Sequence, residues 1–375
     1  MRNFFILLFT LCFVMCAPRQ SDNTISVDLD HPEKASLFDY FSSIELIPLE
    51  TSSDALVQAL TKVVEHEDKY YALDKPQCLI FVFDKAGKFL YKIGTKGQGA
   101  GEYAFISDFN INPFSGNLEI LEPYGRIHVY SLLGDFIETK RISYPEFKVA
   151  HSLAALDNDI YVSHSLFEPK KIAYFDLNKQ KLLHEEFEED ISIGSYSQIP
   201  YQYKDEWFFY RPFHPIVYKI GKKHLEAFFK FDFGKYTKDG RTAVLSQEAK
   251  MNFTKNIEEM YAQYSYMIQA VRHNDKYIFA SVLWKDNDHR ANIIYDKSTG
   301  KSKYIIEFDE KVWFNSYRGE EIIVTDQYAI MPIQWVDLEK RVTKEMLNDK
   351  QQIILEKLLQ ADTEQNPILI KYWFK

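Results

Sequence analysis

Gly97, Gly99 and Gly101, within Gly94-Thr-Lys-Gly-Gln-Gly-Ala-Gly-Glu-Tyr103, are the first residues whose spacing suggests chemistry. Closely spaced glycines can cradle a phosphate, but that cradle needs a helix N-terminus with its free backbone N–H groups. Here the spacing is G-x-G-x-G and a strand-like run follows, so the better reading is conformational. The glycines let the chain cross from one sheet to the next, with Glu102 and Tyr103 anchoring the crossing. Asp286-Asn-Asp-His289 offers oxygen and imidazole ligands, yet lacks the glycine and terminal glutamate of a calcium loop. No cofactor is therefore expected; calcium near Asp286 and Asp288 is the alternative. His128, His151, His164 and His214 lack the H-E-x-x-H spacing of a zinc site, and no G-x-S-x-G elbow occurs. No residue is assigned a catalytic role.

The elements that would position a site are short strands. From Tyr70 to Ile142 one pattern is written twice: Gly87 falls on Gly134 and Phe89 on Phe136, 47 residues on, and Asp74 falls on Glu122, 48 on. Such a period, made of β-rich runs, is the signature of a propeller blade. Blade one reads as Leu60–Glu65, Lys69–Asp74, Cys78–Asp84 and Lys88–Ile93, and blade two spans Ile106–Ile142. Three further blades follow to Phe308. The sixth has two local strands, Glu321–Thr325 and Tyr328–Gln334, and a distant third, Ile368–Phe374. The orphan run Ile44–Leu49 supplies its fourth. The expected fold is thus all-β, a six-bladed propeller closed by the two chain ends in one blade, which leaves no open sheet edge. Two helical insertions, about 234–263 with Ser246 as N-cap and about 337–361, interrupt the strands.

In such a blade, the loop between strands two and three shares a face with the blade-to-blade crossings, and propeller ligands usually bind there. That topology singles out Lys75, Tyr124, Arg126, Glu168, Lys170, Arg211, His214, Trp284, His289 and Arg290 as an expected ligand face, with both helical insertions on the same side.

Residues 1–16 are set apart from the fold. Arg2 is followed by an apolar run from Phe4 to Met15, too short to span a bilayer, so the chain is expected to be exported. Cys16 then precedes polar residues, and the segment resembles a bacterial lipoprotein signal in which that cysteine is lipidated. Residues 17–36 read as a flexible tether and lead-in, and 37–375 as the propeller. Of three cysteines only Cys78 lies in the body, which excludes a disulfide framework. A net charge of −9 argues against a nucleic-acid partner.

Ile93-Gly-Thr-Lys-Gly-Gln-Gly-Ala-Gly-Glu-Tyr103, preceded by Phe81-Val-Phe-Asp-Lys-Ala-Gly-Lys-Phe89, resembles the NHL-type six-bladed propellers. It is similar in particular to the exported six-bladed β-propeller lipoproteins of Bacteroides-type bacteria. The opening Ile25-Ser-Val-Asp-Leu-Asp30, Ile44-Glu-Leu-Ile-Pro-Leu-Glu-Thr51 and the closing Asn366–Lys375 also resemble that family. The resemblance implies fold more than function. The expectation is a monomeric binding or interaction module for a glycan, peptide or envelope protein, held to a bacterial membrane only through its lipid. The alternative is a metal-dependent lyase or hydrolase at the central channel.

Overall fold

The computed structural model describes residues 23–142, 149–166, 168–189, 200–284, 290–310 and 322–375. Their strands form six antiparallel blades in sequence order around a ring. Blade one is Leu60–His66, Lys69–Asp74, Leu79–Asp84 and Phe89–Ile93; blade two is Asp108–Ile111, Leu118–Leu121, Arg126–Tyr130 and Phe136–Arg141. Blade three is Ser152–Ala155, Ile160–His164, Lys170–Asp176 and Lys181–Glu188; blade four is Tyr201–Tyr203, Glu206–Phe209, Ile216–Ile220 and Leu225–Asp232. Blade five is Tyr266–His273, Tyr277–Trp284, Arg290–Asp296 and Lys301–Phe308.

Blade six closes the ring. Its order is Ile323–Val324, Tyr328–Ile333, Ile368–Phe374 and, outermost, Phe41–Pro48. Ile370 faces Met331 on one side and Leu46 on the other, so the C-terminal strand is hydrogen-bonded along both edges. Pro48, which has no amide to donate, sits on the outer strand where none is needed. Gly87, at φ 83°, lies so close that a Cβ there would strike the Pro48 carbonyl. Its own carbonyl accepts from Glu50 N at 2.8 Å, tying blade one to the closing strand.

The core lies in the seams between blades. Tyr71, Ile80, Phe109 and Ile120 fill the seam of blades one and two; Phe81, Ile330 and Leu369 that of six and one. Flat aromatic rings on successive blade faces supply the buried apolar area that no single sheet could hide.

The lead-in departs from expectation. Residues 23–36 are not a flexible tether: Thr24–Ser26 pairs in parallel with the outer strand of blade four, and Glu33–Ala35 with that of blade five. Ile25, Val27 and Leu29 are buried there. The physical cause is the period-two alternation Ile25-Ser-Val-Asp-Leu29, which gives one apolar face to a strand.

The insertions are helical but broken. Ser246 caps the short helix Gln247–Met251, and Asn252 starts the helix Phe253–Gln263, whose Met260 packs with Tyr264 on Phe213. The C-terminal insertion is a turn of helix, Leu338–Arg341, then Asp349–Leu359, restarted by the Asn348 cap. Among the described residues no helix is long and apolar enough to cross a membrane.

Candidate functional site

The loops between second and third strands and the blade-to-blade crossings define the upper face. In the crossing from blade one to two, the Glu102 carboxylate accepts from Gly99 N at 2.8 Å. Tyr103 is buried and donates to the Cys78 carbonyl at 3.1 Å, filling the space beside Gly94. Gly97 N closes back on the Tyr103 carbonyl, and Gly101 adopts φ 75°. The loop is thus packed by its own side chains, and the Gly97, Gly99, Glu102 and Tyr103 N–H groups are spent on bonds within it.

The ligand face expected from sequence divides in two. Lys75, Tyr124, Arg126 and Lys170 are exposed on blades one to three, with Glu168 half-buried beside them. Arg126 pairs with Glu122, and Lys170 lies 3.7 Å from Glu188. Arg211, His214 and Trp284, by contrast, are buried, which corrects their placement on an open surface. Arg211, after the second strand of blade four, is ion-paired with Glu189 at the end of blade three's outer strand. His214 holds Asp239 at 2.9 Å through Nδ1 and the Tyr218 hydroxyl at 2.8 Å through Nε2. Burial opposes ionisation of Asp239, but His214 and Arg241 together hold its carboxyl well below the usual range. Trp284 meets Tyr236 edge-on at 4.6 Å. His214 and Trp284 fasten the helical insertion to blades four and five. Arg290 pairs with Leu283 in its sheet; His289, Asp286 and Asp288 lie outside the described residues.

Charged side chains of the inner strands link neighbouring blades around the ring. Lys62 Nζ, from the inner strand of blade one, reaches Asp108 Oδ1 at 2.9 Å and Asn110 Oδ1 at 2.8 Å on blade two. Asp108 Oδ2 accepts from Leu153 N on blade three. Across the ring, Arg272 donates to the Ile322 carbonyl at 3.2 Å and stacks 4.9 Å from the Tyr201 ring centroid. On the lower face Lys204, Asp275 and Asp326 join the turns of blades four, five and six.

The cavity that sequence reasoning missed lies on this lower face, between blades six and one. It is a groove open to solvent, of about 660 Å³, within the usual size range for a small-molecule site. Lys371, on the C-terminal strand, is 9% exposed. Its ammonium rests 3.7 Å from the Tyr328 ring centroid and 4.4 Å from that of Trp373. No ion pair or hydrogen bond joins it to another described residue. Trp373 Nε1 donates to Glu45 Oε2 at 3.3 Å. Opposite, Glu65 accepts from the Tyr328 hydroxyl at 2.8 Å and pairs with Lys85, whose ammonium lies 4.8 Å from the Tyr70 ring centroid. Burial, with the Lys371 ammonium nearby, pulls Lys85 below the usual lysine value against the contact with Glu65. Burial likewise lowers Lys371, with Glu45 opposing. The Tyr70 hydroxyl is buried and has no hydrogen-bond partner among the described residues. Glu67, in the left-handed region at φ 50°, and Asp68 form the cavity lip. The arrangement offers donors, acceptors and aromatic edges within a single recess.

None of the curated proteins compared matches the chain. Solved structures that share its fold include two from Bacteroides species. One is a candidate exported protein of Bacteroides fragilis, at TM-score 0.70 and 19% identity over 94% of this chain and 99% of that one. The other is a member of the DUF4221 family from Bacteroides vulgatus, at TM-score 0.50 and 12% identity over 89% of this chain and 97% of that one. At sequence level, the match to residues 22–372 shows that the chain belongs to the family described as a domain of unknown function, DUF4934.

Proposed function

We propose that this propeller is an exported, lipid-anchored binding module that holds a neutral or amino-bearing glycan in the groove between blades six and one. The carrying observation is Lys371: a side chain packed into its sheet, with an ammonium seated on two rings, opening into the groove and making no hydrogen bond to another described residue. An ammonium whose donors are free of protein partners and open to the groove can donate to ligand hydroxyls. The lining carries four carboxylates, Glu45, Glu65, Glu67 and Asp68, against two ammonium groups, Lys85 and Lys371. That balance disfavours polyanions, and the alternation of donors and acceptors suits a polyhydroxylated ligand better than an apolar one.

The test is a glycan array probed with the chain lacking residues 1–16, followed by titration of the retained glycan. Lys371→Met and Trp373→Ala should each weaken binding by about tenfold or more, or roughly 1.4 kcal/mol, whereas Tyr124→Ala on the upper face should leave it unchanged. Retention of no glycan, or an affinity indifferent to Lys371→Met, would contradict the assignment.

Anchoring rests on Cys16 and is read separately. Cys16→Ser should move the protein out of the membrane fraction and abolish labelling by an alkyne fatty acid. Stable attachment presumes a multiply acylated cysteine, since one chain binds only marginally. Unchanged membrane association would remove the anchor from the account.

A further inference from the structure

At the rim where blades three and four meet, two imidazoles and a carboxylate converge, far from the groove and unused by it. His184 and Glu186 lie two apart on the outer strand of blade three, so their side chains leave the same face. His224 sits in the turn between the third and fourth strands of blade four, closed by Gly221 N on the His224 carbonyl at 3.0 Å. One ligand atom from each of the three lies within 4.8 Å of the others.

We propose that His184, Glu186 and His224 form a site for a divalent transition metal, with zinc the ion the ligand set suits best. Nitrogen–oxygen sets with two imidazoles favour zinc and its first-row neighbours over calcium or magnesium, which take oxygen alone. The spacing fits as well. Ligand atoms of a zinc tetrahedron stand about 3.3 Å apart, given bonds of about 2.0–2.1 Å. Glu186 Oε1 already lies 2.9 Å from His224 Nδ1 and 3.2 Å from His184 Nε2.

The supporting groups are in place. Leu225 N donates to Glu186 Oε2 at 2.8 Å, so the turn bearing one imidazole also orients the carboxylate. His184 is stacked on its cross-strand partner Tyr174, with centroids 4.4 Å apart and planes at 13°. Outer-shell contacts of this kind fix the orientation of metal ligands. In the free protein one carboxylate oxygen serves both rings. Metal entry requires each ring to turn a lone pair inward and carry its proton on the other nitrogen, a tautomer exchange neutral imidazole allows. Three protein ligands leave a fourth position open to solvent, on the side where His224 is 74% exposed. The bound ion would cross-link two blades at their rim.

The probe is zinc alone, with cobalt as its optical reporter, added to the full chain. Equilibrium dialysis with metal analysis should give one zinc per chain at about 10 μM free metal. Cobalt should give the intense visible bands of a tetrahedral site. His224→Ala, at an exposed position of its turn, should weaken zinc binding by about 100-fold or more and abolish the cobalt bands. Glu186→Gln should also weaken it, and His31→Ala, at an exposed position of the lead-in, should leave it unchanged. Absence of stoichiometric zinc, binding that survives His224→Ala, or an equal loss in His31→Ala would each overturn the proposal. A failed glycan array would leave it standing, because the two sites share no residue.

Discussion

A chain lacking Pro367–Lys375 should neither melt cooperatively nor remain soluble. Those residues carry the third strand of blade six, which pairs with Tyr328–Ile333 on one edge and Phe41–Pro48 on the other. Ile368, Leu369, Ile370 and Tyr372 in it are fully buried. At ~1.5–3 kcal/mol for each large apolar side chain, their burial is worth roughly 6–12 kcal/mol, comparable with a whole domain's net ~5–15 kcal/mol. Losing the strand would also bare two sheet edges, a template for aggregation. A cut after Thr363, in the exposed stretch preceding Asn366, is the matched control. Asn366 remains locked there, donating to the Glu50 carbonyl at 2.7 Å and accepting from Val57 N at 2.9 Å. Calorimetry should show a nicked protein melting close to the parent and a truncated one with no transition. A truncated chain that melts near the parent temperature would mean that the ring closes in another way.

Acid should destabilise the propeller through His273. This residue ends the inner strand of blade five, with its ring 4.4 Å from that of Phe208 and 4.7 Å from that of Tyr203. Burial, then the charges of Lys297 and Arg272, push it down to about 3. The folded value is below the unfolded value of about 6.5, so on acidification the unfolded chain takes up the proton first. Stability is therefore complete above pH 6.5 and is lost as pH falls toward 3. Between pH 7 and pH 4 the loss amounts to about 3 kcal/mol. His151, pushed down to about 4 by burial and Lys75, acts in the same direction. Urea unfolding of the parent and of His273→Gln across this range isolates the effect. The variant should be less stable at pH 7 and lose about 3 kcal/mol less on acidification. Superimposable pH profiles would show that His273 is not the titrating group.

The blades were legible because a half-buried strand advertises itself through alternation, and hairpins advertise themselves through residues such as Gly87 and Gly134. Closure was legible through Pro48, an outer-edge residue in an orphan strand, and through the double-faced apolar run Ile368–Phe374. The groove was not. Glu45 and Lys371 are single charges in mid-strand, Glu65, Lys85 and Tyr328 lie at strand ends of other hairpins, and only the register of blade six sets Lys371 opposite Glu45. One signal was available: Lys371 is the single charge in an otherwise apolar strand. Arg211 and His214 misled for the opposite reason. Loop position suggested exposure, while their flanking Tyr210 and Phe213, both buried, mark a loop covered by the helical insertion.

Hydrogen–deuterium exchange of the chain lacking residues 1–16, with and without the glycan retained by the array, tests the binding account most directly. The account predicts slower exchange at the Glu65–Tyr70 turn and at Lys371–Trp373, with no change in the upper-face loops around Tyr124 and Lys170. Protection confined to those upper loops, with the groove unaltered, would contradict it.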